Sequence, residues 1–262
     1  MRVDPSMQYH LHLRQGDVGK YVLLPGDPGR CKLIASYFDD PRLIVSNREY
    51  TTYTGTLLGE SVSVTSTGIG CPSTAIAVEE LIKLGVHTFI RVGTAGFVQE
   101  DGRNGDLAIL TGAIRDEGTT PQYLPIEYPA IADLDVVVAL RSAAIRSGLP
   151  YHVGVSHSKD SFYGEVEPER MPISDHLLAR WKAWKAGGAV CSEMESSALF
   201  IIAGIHRKRA GGVMLIIGDP TEKVETPDEA ARLDDLLDVN RSIRVGVEAI
   251  KLLIEQDRQA KA

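Results

Sequence analysis

The sequence predicts an α/β fold: a single domain with a mixed central β-sheet flanked by helices. Three observations carry that prediction. Short apolar bursts alternate with helically spaced apolar residues along the chain. Many bursts end in glycine-containing turns, and 262 residues are enough to bury a sheet on both faces without disulfides or metal. The whole of 1–262 is read as that one domain.

Residues 21–25 read as a short buried strand ending in the turn Gly26-Asp27-Pro28-Gly29. Residues 52–57 and 61–65 flank Gly59-Glu60 as a hairpin. Pro72 opens a helix whose face carries Ile76, Leu81, Ile82 and Leu84 and which stops at Gly85. Residues 88–92 and 107–110 are further buried strands. Residues 134–147 form a helix stopped by Gly148, and 151–156 return as a strand. The remaining elements are an amphipathic helix over 175–185 with Trp181 and Trp184, a helix over 193–206, a strand over 212–217 and a terminal helix over 228–256. Residues 100–105 and 164–174 read as loops, the second a candidate lid or binding loop.

Composition narrows the partners. With 28 basic and 35 acidic residues the net charge is −7, which argues against a nucleic-acid partner and requires any phosphate site to be local. Cys31, Cys71 and Cys191 are odd in number and carry no metal-binding spacing, as suits a reducing cytoplasm. No stretch has the length and apolarity of a membrane span, and the N-terminus has no apolar leader core. A cytoplasmic protein is expected.

Several segments carry chemistry. Gly26-Asp27-Pro28-Gly29-Arg30 joins a strand to a helix, where glycine lets backbone N–H groups approach an anion and Arg30 adds a charged fork; an ordinary turn is the plainer reading. The segment from Ser66 to Ser73 brings two glycines and three hydroxyls to a helix start, short of a full dinucleotide fingerprint. Arg91 ends a buried strand, costly unless an anion meets it, and Thr94 with two glycines completes a phosphate cradle; a structural ion pair is the alternative. Glu193 and Glu195 head an apolar helix, either as capping acids or as acceptors for vicinal sugar hydroxyls with Met194 as an apolar floor.

Taken in order, GDPGR, NREYTTYTG, STGIGCPS, RVGTAG, FYGE and SEMES resemble the nucleoside phosphorylase family, hexameric branch, and most closely its uridine phosphorylases. The resemblance covers nearly the whole chain. It implies that Gly26, Arg30, Arg91 and Thr94 hold phosphate, with Arg48 supplied by a neighbouring subunit. It assigns Glu193, Met194 and Glu195 to the ribose, with His10 of the neighbour at the 5′-hydroxyl and His12 as its competitor. Phe162 stacks on the base. Phosphate is a co-substrate and no cofactor is implied. Some relatives hold a monovalent cation such as potassium at a dimer interface, and the matching Glu49, Ile69 and Ser73 are present. A dimer is then the smallest active unit and a trimer of dimers the expected assembly.

Two positions depart from the uridine phosphorylase pattern. Glu165 replaces a glutamine and Asp219 an asparagine. An ionised glutamate only accepts hydrogen bonds, so it suits the N1–H and N2–H groups of guanine better than the carbonyls of uracil. Asp219 resembles the purine enzymes' general acid, and Arg232, thirteen residues on, matches its assisting arginine; a turn aspartate before Pro220 is the alternative. If Glu165 is merely a solvated loop acid, Arg170 is the remaining polar contact to the base. The expected reaction is phosphorolysis of a 6-oxopurine nucleoside, with uridine as the alternative substrate. A hydrolytic nucleosidase and a non-catalytic nucleoside-binding module rank lower, since the triple arginine set has no use for water as nucleophile.

Overall fold

The computed structural model describes residues 6–217 and 237–260. One mixed sheet of ten strands organises them. Its left half is the ladder β2 (Asp39–Asn47), β3 (Tyr50–Leu57), β4 (Glu60–Thr65) and β1 (Tyr21–Leu24), joined through β1 to β5 (Thr88–Phe97). From β5 the sheet curls round. β5 pairs with β10 (Arg209–Ile217), β10 with β6 (Leu107–Asp116), β6 with β8 (Tyr151–Lys159), β8 with β9 (Cys191–Glu193), and β9 returns to β5. That ring is closed, so the strands within it have no free edge. The two-residue β7 (Ala130–Ile131) pairs with β6 outside the ring.

Two apolar layers cover the sheet. On one side α2 (Cys71–Lys83) packs against α6 (Ser196–Ile205) over Val22, Leu24, Phe89, Leu110 and Met214. On the other, α1 (Gly29–Ala35), α3 (Leu134–Ser147) and the terminal helix α7 (Asn240–Gln259) cover Leu23, Ile90, Val92, Ile109 and Val213. The strand residues alternate between the layers, as a period of two requires. α3 starts where Asp133 accepts from Val136 N–H (3.2 Å) and stops at Gly148, whose φ of 67° is left-handed. The short α4 (Phe162–Val166) and α5 (Ser174–Ala186) lie at the ring's open end.

Several predicted boundaries shift. β8 continues past residue 156 to Lys159, through a run of buried polar side chains, His157, Ser158 and Lys159. The loop predicted over 164–174 includes part of α4 and a single turn over Pro168–Arg170. β2 was not expected: its apolar content is low and its first residues are exposed at the sheet edge. The helix predicted from 193 begins at Ser196, because Glu193 belongs to β9. Its carboxylate instead accepts from the N–H groups of Glu195 and Ser196 (both 2.9 Å), capping the helix from the strand before it. α5 has no buried residue, and Trp181 and Trp184 pack toward His157 with ring centroids 6.1 and 6.0 Å away. The three cysteines are buried and free. No described helix is long and apolar enough to cross a membrane.

Candidate active site

A cavity of about 780 Å³ opens where β1, β5, β9 and β10 end. The Gly26–Arg30 turn, Glu49, Gly68 and Ile69, the 93–96 segment, Phe162, Glu165 and the Glu193–Glu195 run line it, with Ile217 closing one side. Parallel strands β1, β5 and β10 run in register, so their C-terminal ends converge at one end of the sheet.

Arg91 is the electrostatic centre. It is 5 % exposed, with Nε donating to Glu193 Oε2 (3.0 Å) and Nη2 meeting Glu195 Oε2. Its Nη1 is buried with no hydrogen-bond partner among the described residues. An unpaired charged donor beside a cavity is a place for an anion. The structural ion pair is therefore present without using up the guanidinium: two nitrogens hold carboxylates and the third has no partner among the described residues.

Around it the other expected ligands fall into two groups. Gly26, Arg30 and Thr94 share the cavity with Arg91. Arg30 sits in the first turn of α1, 4.0 Å from Asp27 at a weak ion pair, and burial with the charge of Arg91 lowers its pKa against the pull of Asp27. Two close guanidiniums repel, so each is stabilised when an anion enters between them. Arg48 and His10 do not line this cavity. Arg48 is exposed in the β2–β3 turn with a left-handed φ of 54°. The His10 ring meets Glu80 Oε1 at 2.7 Å and borders a separate hollow with Glu79, Lys83 and Tyr123, while His12 is exposed.

Glu193 and Glu195 differ more than their spacing predicts. Glu193 Oε1 accepts from the hydroxyls of Ser156 (3.3 Å) and Ser158, and Oε2 from Arg91 and two backbone N–H groups. Burial would raise its carboxyl, but Arg91 and these donors outweigh that and hold it low. Glu195 accepts from Gly70 N–H (2.6 Å), which ties the 66–73 loop to the site. Burial, with repulsion from Glu193, keeps its carboxyl above the usual range despite Arg91. Two carboxylates share one cation, and the better-solvated of them by protein donors is Glu193.

At the base end Phe162 is half exposed, its ring edge-on to Tyr163, with the Lys159 ammonium 6.0 Å from the ring centre. Glu165 is neither a bare acceptor nor a solvated loop acid. Its Oε2 takes the Ser192 hydroxyl, Lys159 Nζ (3.1 Å) and His157 Nδ1 (3.3 Å). Burial pushes its carboxyl up, but His157, Lys159 and Ser192 together bring it below its ordinary value. His157 Nε2 reaches Asp116 (2.9 Å), and Asp116 pairs with Arg180 (2.5 Å). Burial acts to lower the imidazole's pKa, and the two acids overcome it, so the ring is held cationic above its usual range. Arg170 is exposed, bonds Glu167 and does not line the cavity. Arg170→Ala is therefore expected to change kcat/KM for the nucleoside by less than about twofold, in line with surface substitutions; a tenfold loss would place Arg170 at the base after all.

Sequence reading missed Lys159, Ser192 and His157. The signal was available as a polar run, Ser156-His157-Ser158-Lys159, following an apolar strand directly before Phe162. Asp219 and Arg232 lie outside the described residues. Glu49 and Ile69 lie at the cavity rim, and the Ser73 hydroxyl donates to the Ile69 and Gly70 carbonyls (3.2 and 3.3 Å). Carboxylate, carbonyl and hydroxyl oxygens are a hard donor set, compatible with an alkali cation. Among the described residues no group of three His, Cys, Asp or Glu side chains is placed to hold a metal ion.

The cavity at the strand ends thus brings together a half-paired arginine and a carboxylate pair, and comparison with known proteins gives the family. Residues 20–251 match the phosphorylase superfamily. The chain belongs to that superfamily, and within it to the nucleoside phosphorylases, which are pentosyltransferases. It is 50 % identical to a uridine phosphorylase of Treponema pallidum over 95 % of both chains. It is 41 % identical to a uridine phosphorylase of Thermococcus kodakarensis, covering 98 % of this chain and 91 % of the relative. A guanosine phosphorylase of Halorubrum lacusprofundi is 38 % identical over 95 % of this chain and all of the relative.

Proposed function

We propose that the chain catalyses phosphorolysis of uridine, giving uracil and ribose 1-phosphate. The observation that carries this reading is the likeness to uridine phosphorylases over nearly the whole chain, and the state of Glu165 removes one objection to it. The expectation of a 6-oxopurine substrate rested on Asp219 with Arg232, which lie outside the described residues, and on an unpartnered Glu165 carboxylate facing uracil carbonyls; the second conflict eases once Lys159 stands beside that carboxylate as a donor.

Phosphate enters between Arg30 and the free Nη1 of Arg91, with Thr94 and the Gly26 backbone completing its cradle. Glu195 and Met194 receive the ribose, and Glu193 acts by fixing Arg91 rather than by touching the sugar, since its oxygens are taken. Attack at C1′ builds oxocarbenium character that the held phosphate dianion stabilises. Phe162 covers one face of the base. Arg48 and His10, which lie away from this cavity, serve a neighbouring subunit's site in a dimer or a trimer of dimers. An alkali cation at Glu49, Ile69 and Ser73 would steady that rim from the dimer side.

Uridine, guanosine and inosine cleavage at varied phosphate tests the reading. Phosphate-dependent uridine turnover is expected to dominate; turnover of guanosine or inosine without uridine would restore the purine assignment, and phosphate-independent release would indicate hydrolysis. Arg48→Ala is expected to raise the KM for phosphate about tenfold or more, the cost of one charge-assisted contact. An unchanged phosphate dependence would remove Arg48 from the site.

A further inference from the structure

The geometry points to Lys159 and Glu165 as a paired reader of the base's lactam edge, with Lys159 also the catalytic group that carries charge on the departing base. The inference rests on the uridine reading for its substrate, although its chemistry extends to any base with an N–H beside a carbonyl.

The pair forms the wall between two cavities. One is the substrate cavity; the other, of about 190 Å³, lies behind it and is bordered by His157, Arg180, Trp181 and Trp184. Lys159 is 6 % exposed and has three N–H donors. Two of them go to Ser192 Oγ (2.8 Å) and Glu165 Oε2 (3.1 Å), and the residue lines the substrate cavity within 6.0 Å of the Phe162 ring. Glu165 Oε1 takes part in none of the contacts that tie down Oε2. Adjacent donor and acceptor groups thus border the space beside the ring expected to cover the base.

Uracil matches that order. Its N3–H donates to Glu165 Oε1 while a flanking carbonyl, O4 or O2, accepts from Lys159. Hypoxanthine and guanine offer the same pair in N1–H and O6. Cytosine in the same pose does not: its N3 is an acceptor and meets the carboxylate, and it satisfies the pair only by shifting one atom, with N4–H on Glu165 and N3 on Lys159, which displaces N1 from the ribose position. Unmatched buried polar groups are what make hydrogen-bonding sites discriminate strongly.

The same contact serves the chemistry. As the C1′–N1 bond breaks, its electron pair stays on N1 and spreads onto O2 and O4, while a phosphate oxygen bonds C1′. The proton that phosphate gives up on forming the ester and the proton that N1 takes up exchange through solvent, so the step balances. A buried ammonium hydrogen-bonded to the carbonyl stabilises the charge where it develops. His157 and Ser192 hold Glu165 in place, and Asp116 with Arg180 holds His157.

The test compares wild type, Lys159→Met and the double variant Lys159→Met/Glu165→Gln on uridine, 5-fluorouridine and cytidine, with phosphate varied. Wild type is expected to prefer uridine over cytidine by about 10³-fold or more in kcat/KM. Lys159→Met is expected to lose about 10²–10³-fold in kcat on uridine, the cost of one transition-state donor, with the KM for phosphate unchanged. Its loss on 5-fluorouridine, whose base leaves more readily, is expected to be several times smaller. The double variant leaves no unpaired charge, so it supplies the same comparison if the single variant misfolds. A loss of threefold or less, or an equal loss on both uridines, overturns the inference. If wild type cleaves inosine but not uridine, the uridine reading fails by itself. Lys159 is then judged on inosine, where an undiminished kcat in Lys159→Met would overturn the inference separately.

Discussion

Arg91→Ala is expected to lower kcat/KM by about 10³-fold or more and to destabilise the fold by about 3–5 kcal/mol. Both effects come from one guanidinium. Its Nη1 is buried without a partner among the described residues and is the donor proposed for phosphate, while Nε and Nη2 neutralise Glu193 and Glu195. Alanine removes the anion's ligand and leaves two buried carboxylates facing each other without a cation. Arg91→Lys keeps a charge but loses the planar fork, so it is expected to recover stability more than activity. Denaturant unfolding beside steady-state kinetics at varied phosphate separates the two terms. If Arg91→Ala unfolded at the wild-type midpoint, the carboxylates would not depend on it; if its phosphate dependence were unchanged, Nη1 would not be the phosphate donor.

Glu193→Ala is expected to cost about 3–5 kcal/mol as well, by the same reasoning from the other partner of the pair. Five donors converge on this side chain: Arg91, the hydroxyls of Ser156 and Ser158, and the N–H groups of Glu195 and Ser196. Its loss unpairs the start of α6 and frees Arg91 to swing from its phosphate-facing pose. Activity is expected to fall with stability, chiefly in kcat and in the KM for phosphate. Glu193→Gln retains the shape and one oxygen, yet presents an amide where donors already point, so an intermediate loss is expected. The outcome that would sink this account is a Glu193→Ala protein with normal stability and a defect confined to the KM for nucleoside. That result would return Glu193 to the ribose.

These residues also show where sequence reading succeeds. GDPGR and RVGTAG are local arrangements: a strand, a turn and a charged side chain within five or six residues. Arg30, Thr94 and Arg91 were legible for that reason, and the structure places them on one cavity. EMES was legible as a pair of acids, but not as two unlike acids. Which carboxylate is saturated depends on Ser156 and Ser158, about 35 residues earlier, and on the capture of Glu193 by β9 rather than by the helix. The end of the helix over 134–147 was readable from Gly148, whose capping chemistry acts over one turn.

The Glu165 half of the substrate argument lost its basis for the same physical reason. Glu165 by itself is a carboxylate, and a lone carboxylate favours donors on the base. In the fold, β8 sets Lys159 and His157 beside it and β9 brings in Ser192, so the carboxylate bordering the cavity is one partner of an ion pair. The alternation of apolar bursts and helical spacing determined the α/β class, and the order of motifs the family, because each motif is a short run whose chemistry travels with its own backbone. Only the tertiary structure decided which charge faces the cavity and which is spent inside the protein. That depends on partners brought together by sheet closure, and pairing across a closed sheet leaves no local trace in the chain.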